Sequence, residues 1–228
     1  MKRTQSLAFL AIMLVAFASI LPFLASTKEE PVYLMVVEWD GHQRVIVRAI
    51  PSEGDSPDYE LLPFHWYTTA NYWINPRNGY GLSTSAVVTT IKTSANTWDS
   101  ETSYAVFLYR GTTTKSAGIR DNYNVVAWGY YYRRSAIAVT YIWYRGSRIL
   151  ETDTKMNTYY SWSLSGATGK MDVQNIMTHE FGHWVGLNDL YSNDDYWLTM
   201  YGYSGYGETY KRTLGLGDTL GLQAVYGS

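Results

Sequence analysis

The stretch DVQNIMTHEFGHWVGLND, residues 172–189, carries the pattern that decides the fold. Asp172 is a favoured helix N-cap residue, and Gly186 is the residue type that most often ends a helix in a left-handed conformation. We therefore predict a helix between them, with one apolar stripe that packs on a sheet. The stripe consists of Val173, Met177, Phe181 and Trp184.

His179 and His183 stand four residues apart on this helix, so both imidazoles lie on one face and can reach one metal ion. Glu180 is rotated away from the two ligands and is predicted to act as a general base toward a metal-bound water. H-E-x-x-H on a helix is typical of zinc peptidases. The alternative is a solvated helix face that carries the same letters by chance.

A catalytic zinc site uses three protein ligands and leaves one position open, so a third ligand is required. Gly186 lets the chain turn back, and three residues later Asp189 is placed to bind the metal. His65 or an acidic residue elsewhere is the alternative. We expect His65 to be a strand-edge residue and His42 to be a turn residue.

The amino-acid composition argues against some classes of function and excludes others. The chain has 228 residues, 46% of them hydrophobic and 17% charged, which is typical of one well-buried globular domain with a short appendage. The net charge is −2 and no basic stripe is visible, which argues against a nucleic-acid partner. Cysteine is absent, which excludes disulfides, thiolate nucleophiles and cysteine-ligated metals.

The N-terminus has the features of an export signal. Lys2 and Arg3 precede an apolar run from Leu7 to Leu24, and small residues follow before the charged stretch 28–30. We predict that residues 1–27 are a signal peptide or, because the run is about as long as the shortest membrane spans, an uncleaved anchor. The protein is then secreted or extracellular, with membrane contact only through that segment. The sequence does not indicate an oligomeric state.

Residues 28–64 are predicted to form an N-terminal hairpin and linker. The β-favouring runs 32–37 and 45–47 flank the turn signal Asp40-Gly41, and residues 51–63 carry three prolines among small polar residues. This part of the chain is interpreted as an extra sheet element, a stalk or a pro-segment. Residues 65–228 form the main domain.

In that domain, strands and helices are mixed in an order that suits an α+β fold. Helices are predicted over 83–98 and near 218–226, besides the one at 172–186. Strands are predicted at 66–74, 104–109, 125–132 and 136–144, with a shorter one around 159–163.

The pattern H-E-x-x-H-x-x-G-x-x-D resembles that of the metzincin zinc metallopeptidases, and within them that of matrixin-like members. It is carried by His179, Glu180, His183, Gly186 and Asp189. The segment Leu198–Tyr201 is similar to the Met-turn of that clan, with Met200 at its centre. Residues 159–163 and 216–227 are also matrixin-like, and the resemblance spans about 66–227.

Three departures from the family pattern matter. Asp189 stands where the family usually has a third histidine, a variant seen in snapalysin-type members. Because the chain has no cysteine, the cysteine-switch form of latency cannot operate. The segment 125–138 has neither histidine nor acid, so the family's structural-metal loop is not recognisable. One catalytic zinc is expected, and calcium remains open.

The resemblance implies a twisted mixed sheet above an active-site helix, followed by a Met-turn and a C-terminal helix. It implies an exported zinc-dependent endopeptidase that acts on peptide or protein substrates, with Glu180 as general base. Met200 would form an apolar floor beneath the metal. Tyr201 and Tyr203 are candidate residues of the substrate pocket.

Two other functions fit the same letters. One is an exported zinc-binding or adhesion module on this fold that does not cleave peptides, although such a site has no need of Glu180. The other is a surface protein in which the histidines are incidental.

Overall fold

The structure is a computed structural model that describes residues 31–40 and 56–228. In these residues a six-stranded mixed sheet packs against helices, which confirms the expected α+β class. The predicted signal segment 1–27, the second half of the predicted hairpin and His42 lie outside the described residues. Within the described ranges, no helix has the length and apolarity to cross a membrane.

The strands of the six-stranded sheet come from most of the chain. They are β1 (Tyr33–Asp40), β2 (Ala70–Asn75), β3 (Phe107–Thr112), β4 (Asn124–Gly129), β5 (Ala136–Arg145) and β6 (Arg148–Asn157). Their spatial order is β1-β5-β6-β4-β2-β3. The contacts of β5 with β1 and with β6 are antiparallel, and the other pairs are parallel. A separate two-stranded sheet pairs β7 (Trp162–Ser163) with β8 (Met171–Asp172).

The described residues form three α-helices, and specific residues mark the two ends of the second. The helices are α1 (Thr84–Asp99), α2 (Val173–Trp184) and α3 (Leu216–Tyr226). The Asp172 side chain accepts a hydrogen bond from the backbone N–H of Asn175 at 3.0 Å, which confirms it as the N-cap of α2. Gly186 has a φ of 97°, the left-handed conformation expected after the end of the helix.

Helices α1 and α2 are joined side by side in the core. The indole N–H of Trp98 donates to the carbonyl of Thr178 at 2.7 Å, and Ser94 donates to the carbonyl of Gln174. Helix α2 also packs on β5. The apolar stripe of α2 is fully buried, as predicted from its spacing.

The three predicted helices are confirmed, with shifts of one or two residues at most ends. The strand expected at 104–109 lies instead at 107–112, because residues 102–106 are bound to the end of α1 and to the C-terminus through Asp99 and Thr102. Strand β6 was not predicted. Its inward positions include charged residues, so the alternation of apolar and polar residues is hidden.

Two buried carboxylates on β6 hold the segment 113–123, which connects β3 to β4. Asp153 accepts hydrogen bonds from the backbone N–H groups of Gly118, Ile119 and Val125 at 2.7, 3.2 and 2.7 Å. Glu151 accepts from those of Asp121 and Asn122 at 2.8 and 2.6 Å. Because a carboxylate offers several lone pairs, each of these side chains satisfies two or three amides at once.

We expect Asp153→Asn to lower the free energy of unfolding by about 2–4 kcal/mol, because an amide group cannot accept all three N–H bonds inside the protein. Denaturant unfolding measures this, and hydrogen exchange at the three amides locates it. The exposed Asp194→Asn is the control, with an expected change within about 0.5 kcal/mol. Equal losses for both variants would show that Asp153 does not hold the segment.

Candidate metal centre

The two histidines of α2 are oriented by backbone carbonyls. His179 Nδ1 lies 2.7 Å from the carbonyl oxygen of Thr199, and His183 Nδ1 lies 2.9 Å from that of Leu187. A carbonyl only accepts, so each Nδ1 carries the proton and each Nε2 presents a lone pair. Both rings are completely buried. This is the arrangement found around metal-binding histidines.

Asp189 meets these two nitrogens. The left-handed Gly186 turns the chain back, and the backbone N–H groups of Gly186 and Leu187 bond to the carbonyls of His183 and Gly182. Asp189 Oδ1 then lies 3.1 Å from His179 Nε2 and 3.7 Å from His183 Nε2. One ligand atom from each of the three residues falls within 4.8 Å of the others. The three predicted ligands are therefore brought together.

The distances from Asp189 to the two histidines suit a small tetrahedral ion. Ligand atoms at about 2.0–2.1 Å from a tetrahedral zinc are separated by about 3.3 Å, and the two His–Asp distances bracket that figure. His183 Nε2 is buried with no hydrogen-bond partner among the described residues, so its lone pair has no other use there. Burial lowers the pKa of His183 to about 4, which keeps the imidazole neutral as a ligand must be.

Asp189 completes the donor set with a negative charge. Burial by itself would raise its pKa, but the neighbouring His183 and His179 and a hydrogen bond from Tyr191 hold the pKa below its usual value. The Tyr191 hydroxyl donates to the other oxygen, Oδ2, at 3.2 Å. One carboxylate oxygen is thus engaged by a tyrosine while the other faces the imidazoles.

Glu180 is held at the end of a directed chain of hydrogen bonds. The indole N–H of Trp184 can only donate, and it donates to Thr154 Oγ1 at 2.9 Å. Thr154 lies 2.6 Å from Thr140, whose hydroxyl donates to Glu180 Oε2 at 2.5 Å. Since Thr140 uses its proton on Glu180, Thr154 must donate to Thr140. The chain fixes one oxygen of Glu180 and leaves Oε1 without a hydrogen-bond partner in the described part of the chain.

The environment of Glu180 favours proton uptake. Complete burial raises its pKa to about 8, the Thr140 hydrogen bond opposes that rise, and the negative charge of Asp189 adds to it. A carboxylate with a pKa near the working pH can both accept and return a proton. The arrangement therefore gives a buried acid–base group beside a three-atom ligand set.

Met200 lies beneath α2, against Gly182, which has no side chain. A Cβ added at Gly182 would lie 2.1 Å from Met200 Sδ and 2.9 Å from the ring of Trp98. Only glycine allows the methionine to approach the backbone between the two histidines this closely. Met200 is 2% exposed and belongs to the core, and its role as a floor beneath a metal ion stays a prediction.

Asp218 of α3 holds the segment Leu198–Tyr201 in place. Its carboxylate accepts from the backbone N–H groups of Thr199, Met200 and Gly215 at 2.7, 3.0 and 2.8 Å. The carbonyl of the same Thr199 accepts from His179. Asp218 therefore positions a ligand through one intervening residue.

Tyr201 and Tyr203, the candidate pocket residues, form one aromatic cluster with Tyr191. The rings of Tyr191 and Tyr203 are 5.4 Å apart, and those of Tyr201 and Tyr203 are 5.6 Å apart. Tyr201 is largely buried, with Lys211 Nζ 5.5 Å from its ring. Their role in binding substrate stays a prediction.

The other candidate ligand, His65, is not part of the cluster formed by the described residues. Its ring stacks on Tyr67 at 4.5 Å, and its backbone pairs with residues 147–149, so it is a strand-edge residue as expected. Thr140, Tyr191 and Asp218 were missed as site residues. Of these, Asp218 carried a visible signal, since an acid in the first turn of a helix commonly binds backbone amides.

Comparison of the chain with protein-family models and with curated protein sequences gives no match. The mixed sheet and the His-His-Asp cluster are compatible with a metzincin-like fold.

We expect Asp218→Asn to weaken zinc binding about tenfold, because the amide cannot accept from all three N–H groups and the carbonyl that orients His179 loses its support. Competition with a chromophoric chelator measures the affinity. Thr219→Ala, at the next position of α3, is the control and should bind zinc as the parent does. Parent-like affinity in Asp218→Asn would remove Asp218 from the support of the site.

Proposed function

We propose that the chain is a zinc-dependent endopeptidase of metzincin type, in which His179, His183 and Asp189 bind the metal and Glu180 is the general base. The observation that carries the proposal is the convergence of three buried ligand atoms beside a carboxylate that has one anchored and one unengaged oxygen. A zinc ion held there would polarise a carbonyl group and acidify a water molecule.

The residues of the chain supply the rest of the chemistry. Glu180 Oε2 stays on Thr140, so Oε1 is the atom that takes a proton from the attacking water and passes it to the leaving amine. The Nδ1 protons of the histidines stay on their carbonyl acceptors, which keeps both rings in one tautomer throughout. Tyr201 and Tyr203 are proposed to line the substrate pocket.

The wider assignment follows from the sequence. We propose export through residues 1–27, peptide or protein as the substrate and no nucleic-acid partner, in keeping with the net charge of −2. One zinc is proposed, and a calcium requirement remains an open prediction.

Glu180→Gln should abolish proteolysis, with a fall of at least about a hundredfold, while zinc stays bound at parent stoichiometry. The glutamine keeps the shape of the side chain but cannot take up a proton. Zinc content and hydrolysis of casein, with and without chelator, are the measurements. The control is Glu101→Gln, which should match the parent.

Chelator-sensitive activity that persists in Glu180→Gln would make the assigned base wrong. A parent protein that binds stoichiometric zinc and cleaves nothing would instead indicate the non-catalytic zinc-binding module.

Asp189→Ala should lose zinc, because two imidazoles alone leave the ion without its third ligand and its only negative one. Metal analysis after dialysis measures the loss, and Asp194→Ala is the matched control on the neighbouring exposed turn. If Asp189→Ala retained zinc as tightly as the parent, Asp189 would not be a ligand.

A further inference from the structure

Strand β1 covers the sheet edge nearest the candidate metal centre. It pairs with β5 along its whole length, from Tyr33 opposite Tyr144 to Asp40 opposite Ala136. Among the described strands, β1 and β3 are the two edges of the sheet, and β5 has β6 on its other side. Without β1, the edge of the sheet would therefore be β5.

Strand β5 is the strand that touches the catalytic machinery. Its Thr140 donates to Glu180, and α2 packs against it. Val37 of β1 lies directly opposite Thr140, and residues opposite each other in an antiparallel pair share one face of the sheet. The buried Val37 therefore extends the face of the sheet that contacts Glu180.

A peptide is cut most readily when it lies extended beside the reacting groups, and a free strand edge holds such a peptide by main-chain hydrogen bonds. β5 is the strand whose edge would serve a substrate of this centre. We propose that β1 is an internal inhibitory strand, which occupies the edge of β5 where an extended peptide substrate would pair and must leave that edge before substrate binds. This inference rests on the proposed peptidase function.

The attachment of β1 is suited to release. β5 is its main contact among the described elements, and of residues 33–38 Met35 and Val37 belong to the core or pack against it. Tyr33, Leu34 and Val36 are exposed on the outside. Edge strands with few core contacts open at lower free energy than central strands, so β1 can detach while the rest of the sheet stays folded.

Polar contacts at Glu38 hold the second half of β1. Glu38 accepts a hydrogen bond from the Tyr131 hydroxyl and pairs with Arg133, whose Nη1 lies 2.8 Å from Glu38 Oε2. Both partners come from the segment that leads into β5. Breaking this ion pair should loosen β1 without changing the metal ligands or Glu180.

The test uses the full chain with zinc bound and reverses each charge in turn. Glu38→Arg and Arg133→Glu should each raise kcat/KM for an unstructured peptide substrate by about fivefold, since a partly exposed pair contributes modestly. The double variant with both charges exchanged should return toward the parent value. Arg110→Glu, a charge reversal on the opposite edge strand β3, is the control and should leave kcat/KM unchanged.

A second measurement does not depend on catalysis. A labelled peptide of residues 31–40 is titrated into the same variants carrying Glu180→Gln, so that the peptide stays intact, and binding is followed by fluorescence anisotropy. Glu38→Arg should bind it about fivefold more tightly than the parent, because the opened edge keeps Arg133 to pair with Glu38 of the peptide. Arg133→Glu should show no such gain, since it repels Glu38 of the peptide as it repels that of β1, and the double variant should bind the peptide less tightly than Glu38→Arg. If a reversal fails to fold, Glu38→Gln replaces it, with a smaller gain expected.

The two proposals fail in different ways. If the parent cleaves peptides but the charge reversals change neither kcat/KM nor peptide binding, β1 is not inhibitory and the inference is overturned. If no variant cleaves any peptide while Glu38→Arg binds the 31–40 peptide more tightly, the peptidase proposal fails and β1 remains a covering strand on β5.

Discussion

The carboxylate of Asp189 is 5% exposed and lies against two fully buried imidazoles, and the surrounding structure is arranged to make that burial tolerable. Removing such groups from water is costly unless each finds a partner. The carbonyls of Thr199 and Leu187 take the Nδ1 protons, and Tyr191 takes the second carboxylate oxygen. What is left is a set of lone pairs directed at one point, which a cation would satisfy.

Carboxylates that bind several backbone amides recur elsewhere in this chain. Asp218 holds the segment beneath the candidate metal centre, and Asp153 and Glu151 hold the connection from β3 to β4. Asp99, at the end of α1, accepts from the amides of Val106 and Phe107, and Asp172 accepts from an amide at the start of α2. A chain without cysteine has no disulfides to fix its loops, and these side chains fix the loops by hydrogen bonding instead.

The parts of the fold that sequence could predict are those with a local cause. The i, i+4 histidines, the Asp172 cap and the glycine after the helix each act within a few residues, and all three are confirmed. Asp189 could be predicted as a ligand because it follows the glycine at a distance that a single turn spans. Strand β6 was missed because Glu151 and Asp153 lie at buried positions, where their amide partners from residues 118–125 compensate them. The pairing of β1 with β5 and the link from Thr154 to Glu180 depend on residues that are distant along the chain, and no local pattern encodes them.

The position of β1 in the chain also determines when it can pair. Val37 and its partner Thr140 are 103 residues apart (140 − 37), whereas β5 and β6 are joined by the tight turn at Gly146 and Ser147. Closing the longer loop costs about 3 kcal/mol more in chain entropy than closing the hairpin. This difference favours formation of the β5–β6 hairpin before β1 docks, although β1 is synthesised first. Loop-closure entropy therefore favours attachment of β1 after the other strands of the sheet have paired.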